Sequence, residues 1–388
     1  MNHYFVDLHI HIGRTASGRP VKITGAKTLT LSAILEQSSL HKGMDVIGVI
    51  DCHVPEVIFE IEELLNKGRM EELTGGGLRY NNTTLILGSE IEIYDENCKG
   101  PIHLLVYVPT LDGMKQLSSW MASHMKNVTL SSQRLYVSAK KLQQVVKELG
   151  GLFIPAHVFT PHKSLYGKGV KQSLEEVLNP DLIDAIELGL SSNTEMADHI
   201  KELHNYTYVS NSDAHSLPKI GREYQVVAME SPTFNELRLA LQERDGRKIV
   251  ANYGLNPLLG KYHRTSCEKC NTIIEENELS CINCGSKQIT KGVFDRLQEL
   301  RNVDNDTNAK RPPYIHQVPL DFIPKLGPKT LQKLRDYFGT EMKIIHEVPQ
   351  EALEQVVSKE IATAITKARF GQLSLKSGGA GVYGKVEL

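Results

Sequence analysis

The chain has 388 residues, of which 40% are hydrophobic and 23% charged, a composition that is typical of a folded globular protein and excludes a disordered or fibrous one. Its length exceeds one ordinary core, so we expect two or three domains. We see no run of about 18 apolar residues and no basic-then-apolar leader, and therefore expect a cytoplasmic protein without a membrane span. The net charge of −2 does not decide whether nucleic acid binds, because an acidic metal site and a basic surface can cancel.

Short β-rich runs alternate with helical patterns over the first two-thirds of the chain. The candidate strands cover residues 4–8, 46–50, 85–87, 103–107, 152–154, 185–187, 208–210 and 226–228. The intervening helical patterns include residues 138–149, which end at Gly150 and Gly151, a helix-stop signal. Strands that alternate with helices predict a parallel sheet, either open or closed into a barrel.

Histidine and carboxylate side chains stand at almost every predicted strand end. They are His9, His11, Asp51, His53, Glu90, Glu92, His103, His157, Glu187, Asp213 and His215. In parallel α/β folds the carboxyl ends of the strands converge on one face, so residues that are distant in sequence can meet there. A single residue of this kind is most often hydrogen-bonded or solvated. Recurrence at successive strand ends indicates a multi-metal site, because buried charge is costly unless it is paired or metal-bound.

Mixed imidazole and carboxylate ligation limits the choice of metal and of reaction. It suits Zn²⁺, Mn²⁺ or Fe²⁺, and we expect two or three divalent ions, with zinc, manganese or magnesium as the candidates. Such clusters favour phosphate ester hydrolysis, because one ion supplies hydroxide near neutral pH while the others neutralise charge on the phosphate oxygens. The pattern therefore predicts a metal-dependent phosphoesterase.

Four of the six cysteines form a second, local metal-binding pattern. They are Cys267, Cys270, Cys281 and Cys284. Two Cys-x-x-Cys pairs satisfy the tetrahedral preference of Zn²⁺ and leave no open position, which predicts a structural zinc. Whether this ribbon, at residues 262–287, contacts DNA or only braces the domains is left open. A polar linker is predicted over residues 301–310, before Pro312 and Pro313.

Residues 323–334 resemble a helix-hairpin-helix, a module that grips the DNA backbone without reading its sequence. Gly327 would let main-chain N–H groups approach a phosphate at the start of a helix that opens with Pro328. The basic residues of this segment are Lys325, Lys329, Lys333 and Arg335. Such hairpins usually carry two glycines, and here Lys325 replaces the first. The alternative is a helical turn with a solvated lysine face.

The ordered histidine and carboxylate motifs resemble the PHP (polymerase and histidinol phosphatase) family over roughly the first 250 residues. The resemblance implies a distorted seven-stranded β/α barrel with a trinuclear site. It also implies a catalytic ligand set of His9, His11, Glu90, His103, His157, Asp213 and His215, with Asp51 or His53 in a further ligand role. Residues 13–19 hold no additional ligand where many members carry one, and Cys52 separates Asp51 from His53.

The order of barrel, ribbon and hairpin resembles the endonuclease Q family over essentially the whole chain. Local matches lie at residues 7–14, 18–24, 221–224 and 383–385. The resemblance implies a DNA repair endonuclease that flips a nucleotide out and cuts double-stranded DNA 5′ to uracil, hypoxanthine, xanthine or an abasic site, leaving a 3′-hydroxyl. We predict a barrel over 1–255, a zinc-binding domain over 256–295 and a helix-hairpin-helix DNA-binding region over 311–388.

Charged residues near the motifs are candidates for clamping the phosphate. They are Arg14, Arg19, Lys22 and Arg222, and solvated surface roles are the alternative for each.

Other functions also fit parts of the pattern. A PHP phosphatase acting on a small phosphomonoester would have no use for the ribbon and the hairpin. A non-catalytic DNA-binding protein would have lost its barrel metals, and a PHP exonuclease would trim 3′ ends.

Overall fold

Most strands of the protein join one mixed sheet in the computed structural model, which describes residues 1–260, 262–275, 278–303, 310–376 and 385–387. The strands are β1 (Asn2–Ile10), β2 (Val46–Val49), β3 (Glu71–Glu72), β4 (Leu78–Tyr80), β5 (Thr83–Ile93), β6 (Ile102–Val108), β7 (Arg134–Leu135), β8 (Leu152–Pro155), β9 (Ile186–Glu187), β10 (Tyr208–Val209), β11 (Tyr224–Met229), β12 (Lys248–Gly254), β13 (Ser266–Cys267), β14 (Ile289–Thr290), β15 (Tyr314–His316), β16 (Ser374–Lys376) and β17 (Lys385–Glu387). The α-helices are α1 (Leu31–Glu36), α2 (Pro55–Asn66), α3 (Leu111–Ala122), α4 (Ala139–Glu148), α5 (Thr194–Ala197), α6 (Phe234–Leu241), α7 (Val293–Leu300), α8 (Pro328–Phe338), α9 (Glu341–His346), α10 (Gln350–Glu354) and α11 (Lys359–Arg369).

The central strands β1, β2 and β5 are parallel to one another, and β7 is parallel to β5, whereas β4, β6 and β11 are antiparallel to the central strands with which they pair. β11 is antiparallel to β1, and β6 is antiparallel to both β5 and β8. The predicted α/β class is confirmed, but the expectation of a parallel sheet is wrong at β5 and β6. Their connection, residues 94–101, is shorter than the dozen or so residues that a parallel crossover needs. The count of seven barrel strands stays a prediction.

Alternate residues of the central strands pack into two separate apolar cores. On β2 and β5, Val46 and Ile86 belong to one core, while Ile47 and Leu85 belong to the other, which the helices cover. Both faces of these strands are therefore buried, which explains why they read as unbroken apolar runs. Because side chains alternate along a strand, the polar residues at the end of β1 stand opposite the apolar ones that anchor it.

The C-terminal helices are tied to the barrel by a strand and a buried ion pair. β15 adds to the edge of the sheet, parallel to β12. Lys42 Nζ lies 2.8 Å from Glu341 Oε2, on α9, and also donates to Pro218 O at 2.9 Å. The His346 ring stands 4.8 Å from the Phe5 ring. These contacts hold α9 against the barrel.

The remaining predicted segments are only partly described. β13 and β14 pair in antiparallel fashion and frame the four cysteines. Residues 304–309 of the predicted linker, and Tyr383 and Gly384 of the C-terminal motif, lie outside the described residues. Within the described parts of the chain, the helices lack the length and apolar character that crossing a bilayer would require.

Candidate active site

Seven of the predicted ligand residues, His215 among them, meet in one bowl. They form three overlapping groups, in each of which one ligand atom per residue lies within 4.8 Å of the others. The groups are His9, His11 and Glu90; His11, Asp213 and His215; and Glu90, His103 and His157. Because His11 and Glu90 belong to two groups each, the three sets adjoin. Shared residues of this kind would suit several ions held close together rather than one isolated ion.

The ligands reach the bowl from different strands, and two of them adopt unusual backbone conformations. His9 lies near the end of β1, and Glu90 lies within β5 rather than beyond it, because β5 continues to Ile93. His157 and Asp213 have φ angles of +30° and +44°. Non-glycine residues in this region cost of order 1–3 kcal/mol each, and they cluster at functional sites where the surrounding fold holds them.

Three of the imidazoles, those of His9, His11 and His103, have Nδ1 beside a carboxylate and Nε2 without a hydrogen-bond partner among the described residues. His9 Nδ1 lies 2.9 Å from Glu187 Oε1, and His11 Nδ1 lies 3.1 Å from Asp51 Oδ2. In the described parts of the chain, the Nε2 atoms of His9, His11 and His103 are buried without a hydrogen-bond partner. A buried imidazole nitrogen without a partner is costly unless it coordinates an ion. The residues present therefore fit a metal cluster, with carboxylates behind the ligands fixing their tautomers.

Asp51 and His53 lie beside the bowl but outside its three groups. Asp51 Oδ2 accepts a hydrogen bond from the Ile12 N–H at 2.7 Å in addition to its contact with His11. His53 Nδ1 is 2.7 Å from Ser89 Oγ. The structure thus places Asp51 directly behind a ligand, and the choice between Asp51 and His53 as a further ligand stays a prediction.

A buried polar chain behind His9 was not predicted as part of the site. Glu187, which sequence reasoning noted at a strand end but did not select, receives the Asn211 side-chain N–H at 2.8 Å and the His157 main-chain N–H at 2.7 Å. Gln225 in turn donates to Asn211 Oδ1 at 3.2 Å. A buried Glu187 at the end of β9 carried the same strand-end signal as the predicted ligands, whereas Asn211 and Gln225 carried none.

Acidic and basic side chains lie close together in the bowl, and each stabilises the charged form of its neighbours. Burial acts to lower the pKa of His9, but Glu187 and Asp213 outweigh it and raise that pKa to about 10. Burial would raise the pKa of Glu90, yet His103 and Lys22 keep it well below its usual range. The pKa of Asp213 is likewise held well below normal, against burial, by His9 and His215. The carboxylates are therefore ready to coordinate cations at neutral pH.

Two of the four predicted phosphate-clamp residues line the cavity of about 670 Å³ that opens over the bowl. Lys22 Nζ is 3.1 Å from Glu90 Oε2, and Arg222 donates from Nε to Ser212 O at 2.7 Å. The other two are engaged elsewhere. Arg14 Nη1 donates to Gly18 O at 2.8 Å, and the Arg19 side chain is 80% exposed, beside Glu56.

The four cysteines of the ribbon converge on one point. Their sulfur atoms all lie within 4.8 Å of one another, with Cys267 and Cys284 3.6 Å apart and Cys270 and Cys281 3.4 Å apart. Hydrogen bonds from Thr272 lower the pKa of Cys270 to about 5. Four converging thiols with an easily formed thiolate are the donor set of a closed tetrahedral metal site.

The predicted hairpin has an open glycine but no full helix before it. A single 3₁₀ turn (Leu320–Phe322) precedes the loop, where a helix was expected, and α8 follows it. Lys325, at the position where such hairpins usually carry glycine, has a φ of +68°. No atom stands within 4 Å of a side chain built at Gly327. Lys325, Lys329 and Lys333 are all exposed; Lys325 pairs with Glu360, and Lys333 donates to Val356 O.

Comparison with known proteins agrees with this geometry. No family model matches the chain. The uncharacterized protein YqxK of Bacillus subtilis (strain 168) is 57% identical over 387 residues, which cover 100% of both chains. The lesion-specific endonuclease PfuEndoQ of Pyrococcus furiosus is 31% identical, with a TM-score of 0.84 over 100% of this chain and 96% of its own. An endonuclease Q complex with a 27-mer duplex bearing an abasic lesion at its active site also gives a TM-score of 0.84. The chain therefore belongs to the endonuclease Q family of metal-dependent endonucleases.

Proposed function

We propose that the protein is a DNA repair endonuclease that hydrolyses the phosphodiester 5′ to a deaminated base (uracil, hypoxanthine or xanthine) or an abasic site and leaves a 3′-hydroxyl. The observation that carries the proposal is the match over the whole chain to an endonuclease whose complex holds duplex DNA with an abasic lesion at the active site. The buried imidazole nitrogens that lack partners support metal-dependent hydrolysis at the corresponding place.

The residues of the bowl divide into ligands and residues that position them. The proposed ligands are His9, His11, Glu90, His103, His157, Asp213 and His215. Glu187 and Asp51 would position His9 and His11 by holding their Nδ1 atoms. Two or three divalent ions of zinc, manganese or magnesium would supply hydroxide near neutral pH and neutralise charge on the phosphate oxygens.

The chain's own groups provide the rest of the proposed mechanism. A lesion weakens base pairing, so its nucleotide can leave the stack at reduced cost and enter the cavity over the bowl. Arg222, whose guanidinium is fixed by the Ser212 and Asp213 carbonyls, stands beside that cavity and would bind a phosphate oxygen. Lys22 would shift from Glu90 toward the phosphate once ions compensate the carboxylate.

The C-terminal helices would bind the duplex through its backbone, while a DNA contact of the ribbon stays open. We assign the barrel to residues 1–255, a structural zinc domain to 256–295 and a DNA-binding region to 311–388. Gly327, where a β-carbon would meet no atom within 4 Å, would let a phosphate approach the main chain at the start of α8, and the exposed Lys329 would contact a neighbouring phosphate. Such contacts carry no sequence information, which suits an enzyme that must find rare lesions in any sequence context.

The test is incubation of the protein with 5′-labelled duplexes that each carry one uracil, hypoxanthine, xanthine or abasic site, with divalent metal and with chelator. We expect metal-dependent incision 5′ to the lesion, with a product end that a polymerase can extend. Undamaged duplex of the same sequence is the control.

Other results would point to the alternative functions. Hydrolysis of a chromogenic phosphomonoester without incision of any lesion duplex would indicate a small-molecule phosphatase. Binding without hydrolysis at any metal concentration would indicate a non-catalytic DNA-binding protein. Shortening of undamaged duplex from its 3′ ends would indicate an exonuclease.

A further inference from the structure

The segment of residues 131–136 leads directly from the metal bowl to the protein surface. Ser131 Oγ lies 3.1 Å from His11 Nδ1, and Ser132 Oγ contacts both Glu90 and Lys22. Two residues later the chain enters β7, which pairs with the end of β5 so that Arg134 stands beside Glu92. The side chains that follow are therefore held at a fixed distance from the proposed reaction centre.

At the outer end of this segment, one guanidinium is stacked against two tyrosine rings. The Arg134 guanidinium carbon lies 4.9 Å from the ring centroid of Tyr94 and 5.2 Å from that of Tyr136. Arg134 Nη2 also donates to the Tyr94 carbonyl oxygen at 2.5 Å. The tyrosines are nevertheless 41% and 52% exposed. Arginine thus fixes the orientation of both rings and leaves much of their surface open to solvent.

The chemistry of the surrounding hollow selects a neutral, planar ligand. The two tyrosines and Arg134 line an open cavity of about 630 Å³ together with Asp95 and Glu96. The Asp95 carboxylate accepts main-chain hydrogen bonds from residues 97, 98 and 139 and so shapes the loop, while Glu96 is exposed. Lys126 Nζ also lies 5.8 Å from the Tyr136 ring centroid, so two carboxylates offset two cations and leave no excess of positive charge to attract a phosphate. Oriented, solvent-accessible aromatic rings favour a nucleobase, since every base has a face that can stack.

We propose that the Tyr94–Arg134–Tyr136 cluster is a stacking site for an unpaired DNA base other than the nucleotide that enters the cavity over the bowl. This proposal rests on the proposed function. Tyr94 follows Glu90 by four residues of extended chain, which spans about 13 Å at about 3.3 Å per residue. At about 3.4 Å per base step, the stacked base stands about four steps or fewer from the scissile phosphate, in the cut strand or its complement.

Substrate kinetics test the role of the rings. Tyr136→Leu should raise KM for a lesion duplex about ten-fold, because stacking on an aromatic ring is lost, with the effect falling on KM rather than kcat. Tyr136→Phe keeps the ring and should restore most of the affinity. Phe59→Leu, a change at an aromatic residue on α2 that is 59% exposed and outside the hollow, is the matched control and should leave KM unchanged.

Photo-crosslinking identifies the base. Duplexes would carry 5-iodouracil in place of thymine at successive positions, in the cut strand in one series and in the complement in the other. Peptides crosslinked at Tyr94 or Tyr136, from one or two positions in one strand, would support the site and name the strand. An unchanged KM for Tyr136→Leu, or crosslinks that avoid both tyrosines at every position, would overturn it. If the wild-type protein crosslinks at these tyrosines but incises no lesion duplex, the stacking site stands and the proposed function fails.

Discussion

The proposed ligands of the barrel site are spread from His9 to His215, whereas the four cysteines of the ribbon lie within 18 residues of one another. The barrel ligands are carried by strands whose apolar residues form two large cores, and buried carboxylates hold the imidazoles from behind. The ribbon has a small core of its own, built around Cys267, Ile274 and Cys281. The barrel geometry therefore exists because of the fold, while the ribbon geometry depends on its ion.

The largest effect is expected from removing a barrel ligand without disturbing the barrel. Asp213→Asn keeps the size of the side chain but removes the negative charge that lies beside His9, His11 and His215. We expect incision to fall by at least about 10³-fold, since charge stabilisation by bound metal contributes several kcal/mol. Circular dichroism and duplex affinity should stay near the wild-type values. Asp112→Asn, on the surface of α3, is the control, and unfolding of the Asp213 variant would show that this residue is part of the scaffold.

The opposite behaviour is expected in the ribbon. Cys270→Ser should lower the zinc content by about one ion per chain and unfold the ribbon, because a zinc ion contributes roughly 10–16 kcal/mol to the folding of small zinc domains. Hydrogen exchange should accelerate in β13 and β14 and stay slow in β1 and β5. Cys98→Ala, a change at a buried cysteine outside the cluster, should keep the ion. Equal loss of protection in β1 would contradict the division between the two regions.

A residue that positions a ligand should have an intermediate effect. Glu187→Gln keeps a hydrogen bond to His9 but removes the negative charge that supports it. Loss of such a partner typically weakens metal affinity or activity by about 10–100-fold. The measurement is the metal concentration at half-maximal activity, which should rise while activity at saturating metal recovers. A loss of activity that no metal concentration restores would instead place Glu187 among the groups that act on the substrate.

The barrel also contains a buried carboxyl, that of Glu223, whose desolvation outweighs the attraction of Arg222, and this gives a pH test. Burial raises the pKa of Glu223 to about 8, compared with a usual value of 4.5. Because the fold favours the protonated form of Glu223, its favourable contribution to the free energy of unfolding is fully present below about pH 4.5. This contribution is lost as the pH rises through 8. At pH 9, Glu223→Gln should raise the free energy of unfolding above that of the wild type by about 3–5 kcal/mol, which a higher melting temperature would report. At pH 5 the melting temperature should change little. An equal difference at both pH values would contradict this assignment.

The smallest effect is expected at the hairpin, where only one of several exposed lysines is replaced. Lys329→Ala should weaken binding to all duplexes alike and reduce the salt dependence of binding by about one phosphate contact. The control is Lys115→Ala, a change at a lysine on α3 that pairs with Glu62 on α2. Unchanged salt dependence at Lys329 would remove this lysine from the DNA-binding surface.

The sequence predicted the convergence of the proposed ligands better than the structure that surrounds them. The meeting of His9, His157 and Asp213 could be predicted because it depends only on the order of the strands whose ends carry these residues. The sequence did not show that β5 continues past Glu90 or that β6 is antiparallel to it. Both features depend on how the two strands pair and on the length of the connection between them. Among the clamp candidates, nearness to a motif did not reveal that Lys22 points into the bowl and Arg14 does not, since side-chain direction is set by tertiary packing. The cysteine pairs needed no tertiary information.

The bond between Lys42 and Glu341 has a consequence for where the enzyme cuts. Lys42 also holds the carbonyl of Pro218, which lies between the ligand His215 and Arg222. Helix α9 and the loop that carries these residues are thereby joined through one lysine. If the neighbouring hairpin binds the duplex as proposed, this junction would fix the distance between the hairpin and the active site. The number of base pairs between the hairpin contact and the incision would then be the same for every DNA sequence.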